Sequence, residues 1–150
     1  MTDALYVRFQ STIRNERGVF SGVFGLVNRL GRDGKLTAEQ ETFRRTNNAW
    51  YDASFTNPSH VDPTVYDLEA HPGANAWFKT HAHELIKRVG GYLEILEAHG
   101  VGCEAVWSSN PGTVIYEDDD QVVVVPTAER LIAWGRSQHS ANMTPAEDHT

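Results

Sequence analysis

The chain has 150 residues, of which 40% are hydrophobic and 22% are charged, and its formal net charge is −7. This length and composition are typical of one globular domain with its own core. No stretch approaches the roughly 20 apolar residues that a membrane-spanning helix needs, so we expect no membrane partner. Because phosphate backbones are bound by clustered Lys and Arg, the acidic charge argues against nucleic acid as a partner.

Two features of the sequence concern its compartment. The first residues lack the basic region and the apolar region of a secretory signal peptide. Cys103 is the only cysteine, so the chain has no internal disulfide and no cysteine-based zinc site. We therefore expect a cytoplasmic protein.

Three elements are predicted in the first third of the chain. Residues 5–9 alternate between apolar and polar side chains, as in a half-buried strand. Between residues 19 and 31 the apolar side chains recur every three or four positions, which predicts a helix. Thr37 and Gln40 have the spacing of a capping box, so a second helix should begin there and extend to about Ser54.

A long loop and a third helix are predicted next. Residues 56–73 contain several proline and glycine punctuation points, and loops of this length are often functional. The segment 75–98 has apolar residues at helical spacing, which predicts one long helix. These residues are Phe78, Ala82, Leu85, Val89, Leu93 and Leu96.

The C-terminal part is predicted to contain three strands, at residues 103–107, 113–117 and 121–125, joined by short turns. Short connections favour an antiparallel meander, and the run of four valines is typical of a central strand covered on both faces. We expect an α+β fold: the N-terminal strand and this three-stranded meander form an antiparallel sheet of about four strands, with about three helices inserted between them.

The last part of the chain completes the domain organisation. Thr127 could cap a short helix that extends through Trp134, and residues 138–150 have the polar composition of a flexible tail. We therefore expect a single α+β domain at residues 1–137, followed by that tail.

The predicted second helix has an unusually polar inward face. Its stripe consists of Phe43, Thr46, Asn47, Trp50 and Ser54, with Arg44, Asn48 and Tyr51 along one edge. A buried amide without a hydrogen bond costs about 1–3 kcal/mol, so the two asparagines must have partners. One interpretation is that they fix the loop after Ser54. The other is that they face a pocket with Trp50 and Tyr51 as walls and Arg44 as the group that binds an anion.

The predicted third helix places Trp77, His81, Glu84 and Arg88 along one flank. Glu84 precedes Arg88 in the favourable order for an ion pair, and a histidine oriented by a carboxylate can act in acid–base catalysis. His81 and Glu84 are therefore the catalytic candidates, with structural support as the alternative interpretation. On a helix His81 and His83 would point apart, so we expect no metal site in this pair.

Three functional hypotheses follow. The first is a domain, acting as a small cofactor-free enzyme or only as a binder, that takes a polar or anionic small molecule between its second and third helices. Trp77, Lys79 and Arg8 then join the candidate ligand-binding residues of the second helix. The second is a non-catalytic protein–protein interaction module, which is compatible with a homo-oligomer. The third is a metal-dependent hydrolase that uses His81, Glu84 and a loop histidine. We expect no cofactor.

Overall fold

The structure is a computed structural model that describes residues 4–126. In chain order its elements are β1 (Tyr6–Ser11), α1 (Val23–Arg32), α2 (Ala38–Ser54), α3 (Pro58–Val61), β2 (Asn75–Lys79), α4 (His83–Ala98), β3 (Cys103–Ser108), β4 (Thr113–Glu117) and β5 (Gln121–Val125). The predicted α+β class is confirmed, with five strands and four helices in the described residues where about four and about three were expected.

The strands form one sheet in the order β3-β1-β2-β5-β4. Antiparallel pairing places Tyr6 of β1 opposite Lys79 of β2, and Trp77 of β2 opposite Val122 of β5. β4 also pairs with β5 in antiparallel fashion, as predicted. The rest of the predicted meander is wrong, because β3 lies next to β1 at the other end of the sheet.

β2 is the element that the sequence pattern misassigned. Residues 75–79 were expected to begin a long helix, but they form a strand between β1 and β5. Trp77 and Phe78 are both buried, which is typical of a strand covered on its two faces. Phe78 continues the helical spacing of Ala82 and Leu85 by coincidence. The predicted flank of Trp77, His81, Glu84 and Arg88 on one helix is therefore wrong.

The capping box of α2 is confirmed. The hydroxyl oxygen of Thr37 accepts a hydrogen bond from the backbone N–H of Gln40 at 3.1 Å, and Gln40 Oε1 accepts one from the backbone N–H of Thr37 at 3.0 Å. Two of the amide groups at the start of the helix are satisfied in this way. α2 also ends at Ser54 as predicted.

The described chain divides into two compact units. The first unit contains residues 4–8, Thr56–Ala82 and residues 106–126, and the second contains Phe9–Phe55 and His83–Ala105. Trp77, Val122 and Val124 form a buried cluster in the first unit. In the second unit, α1, α2 and α4 pack against one another.

Three expectations concern the chain as a whole. The expected single domain at residues 1–137 stays a prediction. The expected helix from Thr127 to Trp134 and the tail after it lie outside the described residues. Among residues 4–126, no helix is both long enough and apolar enough to cross a membrane.

Candidate functional site

An aromatic cluster fills the space between the three helices of the second unit. The ring of Phe24 meets the rings of Tyr51 and Tyr92 edge-on, with centroids 4.8 and 5.0 Å apart. Phe43 meets Tyr92 in the same way at 5.2 Å. These are favourable geometries for aromatic pairs. Gly91 permits the close approach of Phe43, because a Cβ at that position would lie only 2.2 Å from Cζ of the ring.

Asn48 connects all three of these helices through hydrogen bonds. Its Nδ2 donates to Asn28 Oδ1 of α1 at 2.9 Å, and its Oδ1 accepts from the hydroxyl of Tyr92 of α4 at 2.7 Å. Arg44 Nη1 also donates to Asn28 Oδ1, at 3.3 Å. The polar face of α2 is therefore bonded to its neighbouring helices.

The guanidinium group of Arg44 has a carboxylate partner within its own helix. Its Nε and Nη2 donate to the two carboxylate oxygens of Glu41 at 2.8 and 2.6 Å, and Arg45 Nε adds a third bond at 2.8 Å. The hydrogen bonds from Arg44 and then from Arg45 lower the pKa of Glu41 to about 2. Arg44, which was predicted to bind an anion, is thus already bonded to the carboxylate of Glu41.

Asn47, Trp50 and Glu84 all meet at Arg88. The Arg88 guanidinium lies 3.9 Å from the centre of the Trp50 ring, its Nε donates to Glu84 Oε2 at 3.1 Å, and its Nη1 donates to Asn47 Oδ1 at 3.4 Å. The predicted ion pair between Glu84 and Arg88 is confirmed. Asn47 Nδ2 donates to the backbone carbonyl of Phe43 at 2.9 Å.

Tyr51 and Tyr92 keep their hydroxyl protons at ordinary pH. Tyr51 is buried and donates to the backbone carbonyl of Leu85 at 2.6 Å. Burial is the main cause that raises the pKa of Tyr51, and burial followed by the charge of Asp52 raises the pKa of Tyr92 to about 12. Both side chains therefore act as hydrogen-bond donors in the second unit.

The stripe predicted for α2 is only partly the one that faces inward. Phe43, Asn47 and Tyr51 do face neighbouring residues, but Thr46 and Ser54 are exposed. Neither Asn47 nor Asn48 bonds to the loop after Ser54 in the described structure; their partners lie on α1, α2 and α4.

The remaining ligand-binding candidates lie in the first unit. Trp77 is 1% exposed and packs against Val122 and Val124. Lys79 Nζ lies 2.6 Å from Glu117 Oε2, and this hydrogen bond is the largest cause that raises the pKa of Lys79. Arg8, the third of them, donates from Nη1 to the backbone carbonyl of Ala76 at 2.9 Å.

The two catalytic candidates have separate partners. His81 precedes α4 and its Nε2 lies 2.8 Å from the backbone carbonyl of Asp119, whereas Glu84 lies on α4 and pairs with Arg88. His81 belongs to the first unit and Glu84 to the second. Within residues 4–126, no group of three or more His, Cys, Asp or Glu residues could hold a metal ion.

The loop at residues 56–73 belongs to the first unit and is held by its own hydrogen bonds. Asp62 Oδ1 accepts from the backbone N–H of Thr64 at 3.0 Å, and Asp67 Oδ1 accepts from the backbone N–H groups of Glu69 and Ala70 at 2.8 and 3.2 Å. These bonds lower the pKa of both aspartates, and for Asp62 the hydroxyl of Thr64 is the largest cause. Such turns in which an aspartate binds the following backbone fix a loop locally.

Longer contacts close the loop on itself and attach it to the sheet. His71 Nδ1 lies 2.9 Å from the carbonyl oxygen of Thr64 and 3.1 Å from that of Val65, so this nitrogen carries the hydrogen. Val65 is fully buried. Gln121 Nε2 of β5 donates to the carbonyl of Thr56 at 2.8 Å. The loop is therefore ordered although it has little regular structure.

The same loop presents apolar side chains to solvent. Val61 is 63% exposed and Leu68 is 62% exposed, and Tyr66 between them is 39% exposed. We refer to these three side chains as the loop surface. The large hydrophobic side chains that are exposed in residues 4–126 all lie in the first unit; they are Leu5, Val61, Tyr66, Leu68, Trp107 and Val114.

Comparison with protein-family models, with curated proteins and with solved structures found no significant match.

Sequence reasoning missed two groups of residues. Asn28 and Tyr92 complete the network of α2, and a polar residue in the apolar stripe of the first predicted helix was the available signal for Asn28. The loop surface was also missed. Its signal is the alternation of apolar and acidic residues between Val61 and Glu69, in a segment that was predicted to be a loop.

Proposed function

We propose that the protein is a non-catalytic interaction module, which binds a partner protein through the loop surface of Val61, Tyr66 and Leu68. The observation that carries this proposal is the exposure of Val61 and Leu68, each above 60%, on a loop whose backbone is already fixed. Contiguous exposed apolar side chains mark interaction sites, and these three lie within the eight-residue span 61–68 of the chain. A fixed backbone favours binding because little conformational entropy is lost when the partner docks.

The second unit offers less support for a ligand site. The amide of Asn47 donates to Phe43 of its own helix and accepts from Arg88 of α4, the amide of Asn48 is bonded to α1 and α4, and Arg44 is bonded to Glu41. A bound molecule would have to compete with these internal bonds. The same groups are well explained as the links that hold three helices together.

The proposal is tested with the paired substitution Val61→Ser and Leu68→Ser. A partner recovered from the source cells with the wild-type protein is purified, and its affinity is measured by calorimetry. We expect the double variant to weaken binding by at least about tenfold, because the two serines remove apolar area that the loop would bury against the partner, at about 25 cal/mol per Å². The stability should change little, since both side chains are exposed.

Ala49→Ser serves as the matched control, because Ala49 is exposed on α2 of the second unit. This variant should bind the partner as the wild type does. Equal affinities of the wild type and the loop variant for every purified partner would contradict the proposed function.

We retain a polar or anionic small molecule as a second candidate ligand, and one observation favours it. The guanidinium of Arg88 is stacked on Trp50, and a stacked arginine is well placed to bind a carboxylate or a phosphate. In this second proposal the other candidate residues of α2, Asn47 and Tyr51 among them, position Arg88 and Trp50.

This second proposal predicts a change in the NMR signal of the Trp50 indole N–H on titration with inorganic phosphate or succinate at millimolar concentration. The change should be lost in Arg88→Met, which keeps a long side chain but has no charge. A signal that does not respond to either anion would contradict this candidate.

A further inference from the structure

The charge around the loop surface is one-sided. Asp62, Asp67 and Glu69 alternate with the apolar side chains of the loop surface, and no Lys or Arg occurs between Thr56 and Phe78. Asp62 and Asp67 have a lowered pKa because hydrogen bonds from the loop stabilise their charged forms. The loop therefore combines three acidic side chains with no Lys or Arg.

The rest of the first unit does not balance this charge. Its described residues include seven acidic side chains and only two basic ones, Arg8 and Lys79, whereas the described residues of the second unit include nine of each. Lys79 is paired with Glu117, and Arg8 donates to the carbonyl of Ala76. The negative charge in excess is thus concentrated in the unit that carries the exposed apolar side chains.

We infer that the partner of the loop surface is a basic protein segment in which Lys or Arg residues flank an apolar side chain. This inference rests on the proposed function and adds the chemistry of the partner. Complementary charge accelerates association and excludes unsuitable partners, while the apolar contact with Val61 and Leu68 supplies affinity. A second copy of this chain fits poorly, because two such loops would bring six like charges together at the contact.

The test uses a phage-displayed library of random short peptides, selected on the full-length protein. We expect the enriched peptides to contain Lys or Arg on both sides of an aliphatic or aromatic residue. A synthetic peptide of that sequence should bind the wild-type protein and should not bind the double variant that carries Val61→Ser and Leu68→Ser. This selection does not require that the natural partner be known.

Charge is then removed without disturbing the loop. Asp62→Asn and Asp67→Asn keep the Oδ1 atom that accepts the backbone hydrogen bonds, and Glu69→Gln changes an exposed side chain. Each substitution should lower the affinity of the protein for the peptide by about two- to fivefold at low salt, as expected for the loss of one exposed ion pair. The difference should disappear at about 1 M salt, where the screening length is about 3 Å. Glu94→Gln, an exposed change on α4, is the control and should have no effect.

The outcomes separate this inference from the proposed function. Enriched peptides that need Val61 and Leu68 but contain no basic residues would overturn the inference and leave the proposed function standing. The absence of any peptide that depends on these two residues would overturn both. Enriched peptides that match residues 130–136 of this chain would identify its own segment as the occupant and overturn the inference of a separate partner. Dimers by light scattering that are lost in the Val61→Ser and Leu68→Ser variant would identify a second copy instead.

Discussion

Replacing Gly91 by alanine is expected to lower the free energy of unfolding by about 1–3 kcal/mol, or more if the helices must separate. The added methyl carbon would lie 2.2 Å from Cζ and 2.5 Å from Cε1 of Phe43. Phe43 also meets the ring of Tyr92 at 5.2 Å, so a movement away from the added methyl would disturb that contact. Urea denaturation followed by circular dichroism measures the change.

Gly90→Ala is the matched control for this prediction. Gly90 is exposed in the same helix, and an added Cβ there would have no atom within 4 Å. Alanine should therefore raise the stability by about 0.5–1 kcal/mol, because it loses less backbone entropy than glycine in a helix. In a Phe43→Ala background Gly91→Ala should no longer be destabilising. Equal shifts for the two glycine substitutions in the wild-type background would show that the close approach of Phe43 is absent.

The elements that the sequence predicted to the residue are those whose signals are local. α2 begins with a capping box formed by Thr37 and Gln40, which are three residues apart. β4 and β5 are joined by a turn in which Asp118 Oδ1 accepts from the backbone N–H groups of Asp120 and Gln121. The helix and the hairpin can both be predicted without knowledge of distant parts of the chain.

The position of β2 and the place of β3 depend on distant residues. β2 is a strand because Val7 and Val122 offer it partners on both sides, and its five residues alone carry no clear period. β3 lies beside β1 although only four residues separate it from β4. The short connection between β3 and β4 favours pairing of these two strands. In the structure β3 instead pairs with β1, at the opposite end of the sheet from β4.

The same limit applies to the candidate site. The unusual polarity of α2 was visible in the sequence, and Arg44, Asn47, Asn48, Trp50 and Tyr51 do form one connected region of the second unit. Periodicity shows which residues share a helix face, but it does not show which side chains of other helices meet that face. Asn28 and Tyr92 could therefore not be named as partners. For the same reason the polar face of α2, which is hydrogen-bonded to α1 and α4, could be interpreted as the wall of a pocket.

Replacing Asn48 by alanine is expected to lower the free energy of unfolding by about 1–3 kcal/mol, because the hydroxyl of Tyr92 loses its acceptor and Asn28 Oδ1 keeps only its bond from Arg44. Thr46→Ala is the control on the same helix: its side chain is exposed, so its effect should stay within about 0.5 kcal/mol. Urea denaturation measures both changes.

A double-mutant cycle with Tyr92→Phe shows whether Asn48 acts through this bond. Tyr92→Phe removes the donor and should cost about 0.5–1.5 kcal/mol, and the double variant should cost less than the sum by about 1 kcal/mol. If Asn48 is instead held in place for a ligand, its replacement should leave the stability unchanged or raise it, because residues kept for binding often reduce stability. A stable Asn48→Ala protein would therefore argue against the structural network and return attention to a small molecule bound at the polar face of α2.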